Sequence, residues 1–310
     1  MNSPMEYTTL IAAWGRRKQW QRAVAILDEM ASEGLAPDAI ACSAAIAACE
    51  KAGRWETAMS TLARSKAAGH ELGLQALNAA IGACSRGRRW DLALLNLSTI
   101  TELGLKPDLI SFNSAITACE RGKKWQKAFQ VLEELRSSNL TPDLISFNSA
   151  ISACEPGEQW LRAFGLLDEM RALQLTPDAV SHNAAMAACK RASQWEASLV
   201  LMESARQQGL KADAVTYGTA MGACRRASQW ELVLALFAEL PRVDVVPDRL
   251  AHNAAIAAWR RTHRWEHGLD LLQQLWDGGV GPNIESYAEL VRACEGGGQW
   301  ELTLQLIEEL

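Results

Sequence analysis

Apolar residues recur along this chain in two short helical registers, one after the other, and the pair repeats every 35 residues. The clearest copy runs from Leu109 to Asp143. In its first half Ile110, Phe112, Ala115, Ile116 and Cys119 fall on one face at helical spacing. Arg121-Gly122-Lys123-Lys124 then interrupts the pattern, as a glycine-containing turn does. Trp125, Ala128, Phe129, Leu132 and Leu135 follow at i, i+3, i+4, i+7 and i+10, which predicts a second amphipathic helix. Asn139-Leu140-Thr141-Pro142-Asp143 closes the unit, because Pro does not continue a helix and Asp is suited to cap the next one. Each unit therefore predicts a helix–turn–helix hairpin.

Tryptophan marks the register: Trp20, Trp55, Trp90, Trp125, Trp160, Trp195, Trp230, Trp265 and Trp300 lie 35 residues apart. A fixed period of this size is the sequence signature of a repeat array, in which each unit packs on its neighbours. The expected units are 4–38, 39–73, 74–108, 109–143, 144–178, 179–213, 214–248 and 249–283, with a truncated ninth at 284–310. The sequence stops inside the second helix of that ninth unit, so we expect the chain to be part of a longer protein. The periodic Trp opens each second helix, and the residue three positions on is small in most copies (Ala23, Ala58, Ala93, Ala128, Ala163). That favours a large apolar plug between the two helices and the next unit over a ladder of base-stacking platforms.

The 310 residues are 49% hydrophobic and 22% charged, which excludes a disordered chain and leaves ample surface to bury. Seven of the eight cysteines fall in register, one per unit, too far apart for disulfides in a stacked array. No C-x-x-C pair exists, so zinc is not expected and the thiols read as small buried residues in a reducing compartment. No apolar run approaches a membrane span, and the first residues resemble neither a signal peptide nor an Arg-rich transit peptide.

Two-helix units of 35 residues that end in Pro-Asp and carry an aromatic–Asn pair early in the first helix resemble the pentatricopeptide repeat (PPR) family. The matching stretches are LISFNSAI at 109 and 144, AVSHNAAM at 179, AVTYGTAM at 214 and MEYTTLI at 5. The 34-residue tetratricopeptide repeat, a protein-binding solenoid, is the nearest competitor. The resemblance implies an all-α fold, a right-handed α-solenoid (superhelix). It also implies single-stranded RNA as the partner, read one base per repeat. In the family the fifth and last residues of a repeat read the base, and the second residue sandwiches it. By resemblance Thr8 with Asp38 reads guanine. Asn78 with Asp108, Asn113 with Asp143, Asn148 with Asp178 and Asn183 with Asp213 read uracil. Asn253 with Asn283 reads a pyrimidine, cytosine first. Ser43 with Gly73 and Gly218 with Asp248 depart from the pattern and are expected to act as spacers. The implied RNA core is G-n-U-U-U-U-n-C/U. The sandwiching residues are Ile40, Ile110, Ile145, Val180, Val215 and Leu250, with Gln75 the exception. A plain alternative stands beside this: Pro-Asp is ordinary loop punctuation with helix capping, and Asn near a helix start is unremarkable.

Net charge is −5, which taken alone argues against a nucleic-acid partner. Its distribution reverses that. The five residues before each register Trp hold 18 of the 31 Lys and Arg but only 5 of the 36 Asp and Glu. Arg16, Lys51, Arg86, Arg121, Arg191, Arg226 and Arg261 share one register there, and the resemblance places that neighbourhood near the RNA phosphates. Helix C-termini also favour cations, but that does not account for clusters such as Arg16-Arg17-Lys18. Glu155-Pro156-Gly157-Glu158 breaks the stripe, and weaker phosphate contact and a bend are expected there.

His263-Arg264-Trp265-Glu266-His267 matches an inverted zinc-protease signature, but His263 lies in a turn rather than on the helix. His182 and His252 stand where other units have Phe or Tyr and are expected to pack as aromatics. Gly296-Gly297-Gly298 follows no strand and is not a phosphate loop. No catalytic function, cofactor, metal, small-molecule substrate or membrane association is expected. The resemblance implies an organellar protein, chloroplast or mitochondrion, that acts in RNA processing, stability or translation, with recruited RNA-processing enzymes as further partners. The competing function is a tetratricopeptide-like protein scaffold.

Overall fold

The computed structural model describes residues 4–308 except 34, 36, 71, 72, 263, 280 and 297. Among the described residues every regular element is helical. The chain divides into two compact units, Met1–Ala153 and Cys154–Leu310. The first contains α1 (Pro4–Arg16), α2 (Trp20–Ser32), α3 (Ala39–Lys51), α4 (Trp55–Ala67), α5 (Leu74–Arg86), α6 (Trp90–Glu102), α7 (Leu109–Arg121) and α8 (Trp125–Ser137), with α9 (Leu144–Cys154) at its end. The second contains α10 (Trp160–Ala172), α11 (Ala179–Arg191), α12 (Trp195–Gln207), α13 (Ala214–Arg226), α14 (Trp230–Glu239), α15 (Arg249–Arg261), α16 (Trp265–Asp277), α17 (Ile284–Gly296) and α18 (Trp300–Glu308). Within each unit the first helices of successive hairpins pack in a row, α1 on α3 on α5 on α7 and α11 on α13 on α15 on α17. Within each unit second helices pack on their own first helix and on the one that follows, as α6 does on α5 and α7 and α12 does on α11 and α13. The result is a two-layered α-solenoid in each unit.

Small residues let the first-helix row close up. Ala115, Ile116, Ala118 and Cys119 of α7 are fully buried, as are Ala220, Met221, Ala223 and Cys224 of α13. All eight cysteines are buried and free. Burial pushes the thiols up, to about 12 for Cys119 and Cys189, so they remain protonated apolar residues. His182 and His252 are buried as well, each with Nδ1 against the backbone carbonyl of the preceding cap, Asp178 and Asp248. His252 meets Phe237 edge-on at 5.3 Å, and burial holds the His182 imidazole below its usual pKa. Both pack as aromatics, as expected.

The structure adds detail at two local features. The turn after α7 does not place Gly122 in the left-handed region; Gly122 has φ −78°, and the left-handed residue is Lys123 at φ 57°. The same turn position is taken by Lys18, Arg88, Glu158, Ser193 and Ser228 with φ between 56° and 60°, and by Gly53. Turn closure over a tightly packed pair therefore overrides the ordinary preference for glycine. The register Trp is also not a fully buried plug. Trp55 and Trp90 are half-buried and lie under the turn of the following hairpin, where a Cβ on Gly87 or Gly122 would come within 2.2 and 2.5 Å of the indole. A cation of that turn covers the outer ring face: Arg54 over Trp20, Arg89 over Trp55 and Lys124 over Trp90, at 5.3, 4.6 and 5.5 Å. The indole thus ties one hairpin to the next, with a cation over one ring face.

Proline accounts for two irregularities. The α9 helix ends at Cys154, two residues short of the 13-residue first helices, because a residue before proline avoids the helical region and Glu155 precedes Pro156. Pro241 ends α14 early, in a 3-10 turn over Leu240–Val243.

Candidate nucleic-acid interface

At the second position of six first helices an aliphatic side chain points away from the core. Ile40, Ile110 and Ile145 in the first unit, and Val180, Val215 and Leu250 in the second, are between 57% and 68% exposed. Rows of exposed aliphatics at a fixed helical position need a partner, because single exposed residues do not recur in register by chance of packing. Asn78, Asn113, Asn183 and Asn253 lie on the same helices three residues further on. Asn113 and Asn253 are buried, with 9% and 2% exposure, and Asn78 and Asn183 are half-buried.

The last residue of each expected repeat caps the next first helix. Asp38, Asp108, Asp178, Asp213 and Asp248 are N-caps that accept from a backbone N–H three residues on, and Asp143 and Asn283 accept from Ser146 and Ser286 in the same way. Gly73 offers no side-chain cap to α5. The asparagines reach these caps. Asn78 donates to Asp108 at 3.0 Å, Asn113 donates to both oxygens of Asp143 at 3.0 and 3.2 Å, and Asn253 donates to Asn283 at 3.4 Å. Asn183 hydrogen-bonds Asp213. Capping and pairing with the asparagine are therefore one network. Asn148 lies on α9 in the first unit and Asp178 caps α11 in the second. Thr8 sits half-buried on α1, and Gly218 leaves Asp248 without an amide partner: a Cβ there would still be 3.9 Å from the carboxylate.

Burial alone would raise the Asp108 and Asp213 carboxyls. The backbone N–H and hydroxyl of Ser111 or Thr216, with the Asn78 or Asn183 amide, overcome it and hold both below the usual range. A carboxylate whose folded pKa lies below its unfolded value of about 3.9 contributes stability that is complete above that pH and is lost as pH falls through the folded pKa. Asp213→Ala is therefore expected to cost about 1 kcal/mol, the worth of an N-cap. The cost should be constant from pH 7 to 5 and shrink below about pH 4. Thermal melts of both proteins across that range check this.

In the first unit these groups line one groove of about 370 Å³. Ile110 and Ile145 stand on it with Asn113 between them in sequence, and Thr117, Arg86, Arg121 and Glu50 complete the lining. Arg16, Lys51, Arg86, Arg121, Arg191, Arg226 and Arg261 are all exposed and each ends a first helix, so they also complement its dipole. Two are engaged within the protein: Arg86 faces Glu50 at 3.6 Å, and Arg261 lies over Trp230 at 5.4 Å. Desolvation raises the Glu50 carboxyl, and the Arg86 charge offsets part of that. The zinc-protease candidate does not form a cluster of the described residues: His267 packs on Trp259 at 4.5 Å, and His263 lies outside them.

The models of known repeats match at three places: the pentatricopeptide repeat domain over residues 97–155, and the PPR repeat over 7–35 and 145–175. Over those residues the chain carries pentatricopeptide repeats. No curated protein matches it at the sequence level. Solved structures share the fold of this chain. The maize pentatricopeptide repeat protein PPR10 aligns at 18% identity and TM-score 0.81, over 99% of this chain and 43% of its own. PPR10 in complex with an 18-nt psaJ RNA element aligns at 19% identity and TM-score 0.82, over 98% and 44%. The PPR domain of Arabidopsis thaliana protein-only RNase P 1, in complex with tRNA, aligns at 15% identity and TM-score 0.51, over 58% and 95%. The present chain thus spans less than half the length of the maize chain, and at these identities the structural alignments establish the shared fold alone.

The sequence reading passed over one set of residues. Ser111, Ser146, Thr216 and Ser286, third in their helices, are at most 4% exposed and bond both the cap and the upstream asparagine. Comparing the third position with the asparagine 33 residues before it would have exposed them.

Proposed function

We propose that this protein binds single-stranded RNA selectively, one base per repeat, without catalysis. The observation that carries the reading is the groove of the first unit, where exposed Ile110 and Ile145, the Asn113 amide and the Arg86 and Arg121 guanidiniums converge. Each component suits one part of a nucleotide. Aliphatic faces pack on a base, an amide offers donor and acceptor to its edge, and guanidiniums meet phosphate. The RNA complexes of the structurally similar maize and Arabidopsis proteins support the same partner class. The reading assigns the pairs Thr8/Asp38, Asn78/Asp108, Asn113/Asp143, Asn148/Asp178, Asn183/Asp213 and Asn253/Asn283 to successive bases of G-n-U-U-U-U-n-C/U, and the target to an organellar transcript.

The test is a fluorescence-anisotropy titration with RNA containing G-n-UUUU-n-C, its A-substituted version and the DNA equivalent, at two salt concentrations. Preference for the first RNA is the expected result. Equal, salt-sensitive binding to all three rejects the base assignments, and indifference to every nucleic acid rejects the reading in favour of a protein scaffold. The same assay reports on Glu50. Glu50→Gln removes one negative charge from the groove and is expected to tighten RNA binding about threefold, on the order of 0.7 kcal/mol for one screened unit charge. Wild-type binding should tighten as pH falls towards 5, and the variant should lose that part of the pH dependence.

A further inference from the structure

A hydroxyl three residues into a first helix sits 33 residues beyond an asparagine in four resolved networks. Ser111 donates to Asn78 Oδ1 and Ser146 to Asn113 Oδ1, Thr216 donates to Asn183 Oδ1 at 2.9 Å, and Ser286 to Asn253 Oδ1 at 2.7 Å. The same hydroxyls accept from the cap's own N–H at 3.2–3.3 Å, which leaves their proton to be shared between the cap oxygen and the asparagine oxygen. The sequence repeats the association. All five repeats with Asn at the fifth position are followed by Ser or Thr at the third position of the next, Ser181 after Asn148 included. The three repeats with Thr8, Ser43 or Gly218 instead are followed by Ala41, Ala76 and Ala251.

A helix cap alone does not produce that association. Asp38 and Asp248 cap their helices without any such hydroxyl. What the hydroxyl adds is an orientation for the asparagine amide. Torsion about the last bond of an asparagine is soft, and its two ends differ in chemistry: one donates two protons, the other only accepts. A carboxylate accepts only, so Asp143 draws Nδ2 of Asn113, and Ser146 fixes the opposite end by donating to Oδ1. One Nδ2 proton and one oxygen lone pair then remain for the groove, always from the same sides.

We propose that the third-position hydroxyl is a specificity-determining positioning residue that sets the amide of the preceding repeat so that its free N–H meets a carbonyl on the base. This rests on the base-reading function above. Ser146 touches no RNA in this scheme; it acts through Asn113. Its loss leaves Asp143 as the amide's one anchor, at Nδ2, and frees Oδ1 to swing, so discrimination falls while sandwiching and phosphate contacts persist.

The test is Ser146→Ala in the full chain. It is titrated with the G-n-UUUU-n-C RNA and with RNAs carrying C or A at the Asn113 base. Ser146→Thr and Asn113→Ser are run beside it. The expected result is a roughly three- to tenfold loss of discrimination at that base, the range of one net hydrogen bond. Discrimination should be retained in Ser146→Thr and altered in Asn113→Ser. Equal weakening towards all three RNAs would make Ser146 a helix cap only and overturn the proposal. Full discrimination in Ser146→Ala with altered preference in Asn113→Ser would overturn it too, and leave base reading intact. No change in either would overturn base reading itself. A measurement on the wild-type protein is independent of variant folding. The Asn113 side-chain amide protons should exchange with solvent more slowly in NMR than those of exposed Asn139, and Ser146→Ala should speed that exchange. Exchange as fast as at Asn139 in the wild-type protein would overturn the proposal.

Discussion

Arg86→Glu combined with Arg121→Glu is expected to weaken RNA binding about a hundredfold at physiological salt. Both guanidiniums line the groove that holds Ile110, Asn113 and Ile145, and both are solvent-exposed. The double reversal changes the local charge by four units. At about 0.7 kcal/mol per screened unit charge near a phosphate, that amounts to about 2.8 kcal/mol. Glu50 adds to the effect, because its present partner becomes a second carboxylate at the same spacing. The loss should be uniform across RNA sequences, since phosphates carry no sequence information. Removing two phosphate contacts should flatten the salt dependence by about 1.4 in the slope of log K against log salt for a single strand. Anisotropy titrations at several salt concentrations read both numbers. An unchanged slope would move the phosphates elsewhere on the protein.

Leu132→Ala should cost about 3 kcal/mol of stability with no polar group altered. Leu132 is fully buried on α8, the helix that supports α7 and its groove residues. Truncating a leucine that is closed in on all sides removes its transfer energy and leaves a cavity. For a cooperative unit of this size that corresponds to a fall in melting temperature of roughly 6–12 °C. Leu132→Met, which keeps the volume, should lose less than half as much. Circular-dichroism melts of the three proteins separate the two. A shift of only a degree or two would mean that neighbouring hairpins slide to fill the gap. RNA affinity below the melting point should change little, because α7 presents its groove residues from a helix that stays formed.

The architecture was legible because the helix period, the Trp register and the Pro-Asp loops all point to the same hairpin. Each second helix of the structure begins at a register Trp, and each first helix from α3 onward follows directly on a register cap such as Asp38 or Asp108. The turns were less legible. The sequence marked a glycine-containing turn without showing which residue reverses the chain; Lys123 takes the left-handed backbone where α7 packs on α8. The Trp reading was right about the neighbour and wrong about depth: the indole lies beneath the next turn with a cation over it, a contact between residues 34 apart that no single-unit pattern contains. The interface showed the same division. Exposed Ile110 and Ile145 follow from one helix's periodicity. The bond from Ser146 to Asn113 does not, because its partners belong to different hairpins and become neighbours only when the hairpins stack.

That bond has a bearing on how such arrays are rebuilt. Cutting and splicing at the sequence period, 109–143, separates Asn113 from the hydroxyl that orients it, and a transplanted block then inherits whatever its new neighbour carries. Beside α15, which has Ala251 at that place, the same asparagine would keep its cap carboxylate but lose the bond to its oxygen. The portable cassette is offset from the sequence period: it runs from Phe112 to Ser146 and takes the first turn of the following helix with it. Joined at that seam, each asparagine would travel with the cap and the hydroxyl that hold it, while its aliphatic neighbour would come from the preceding block.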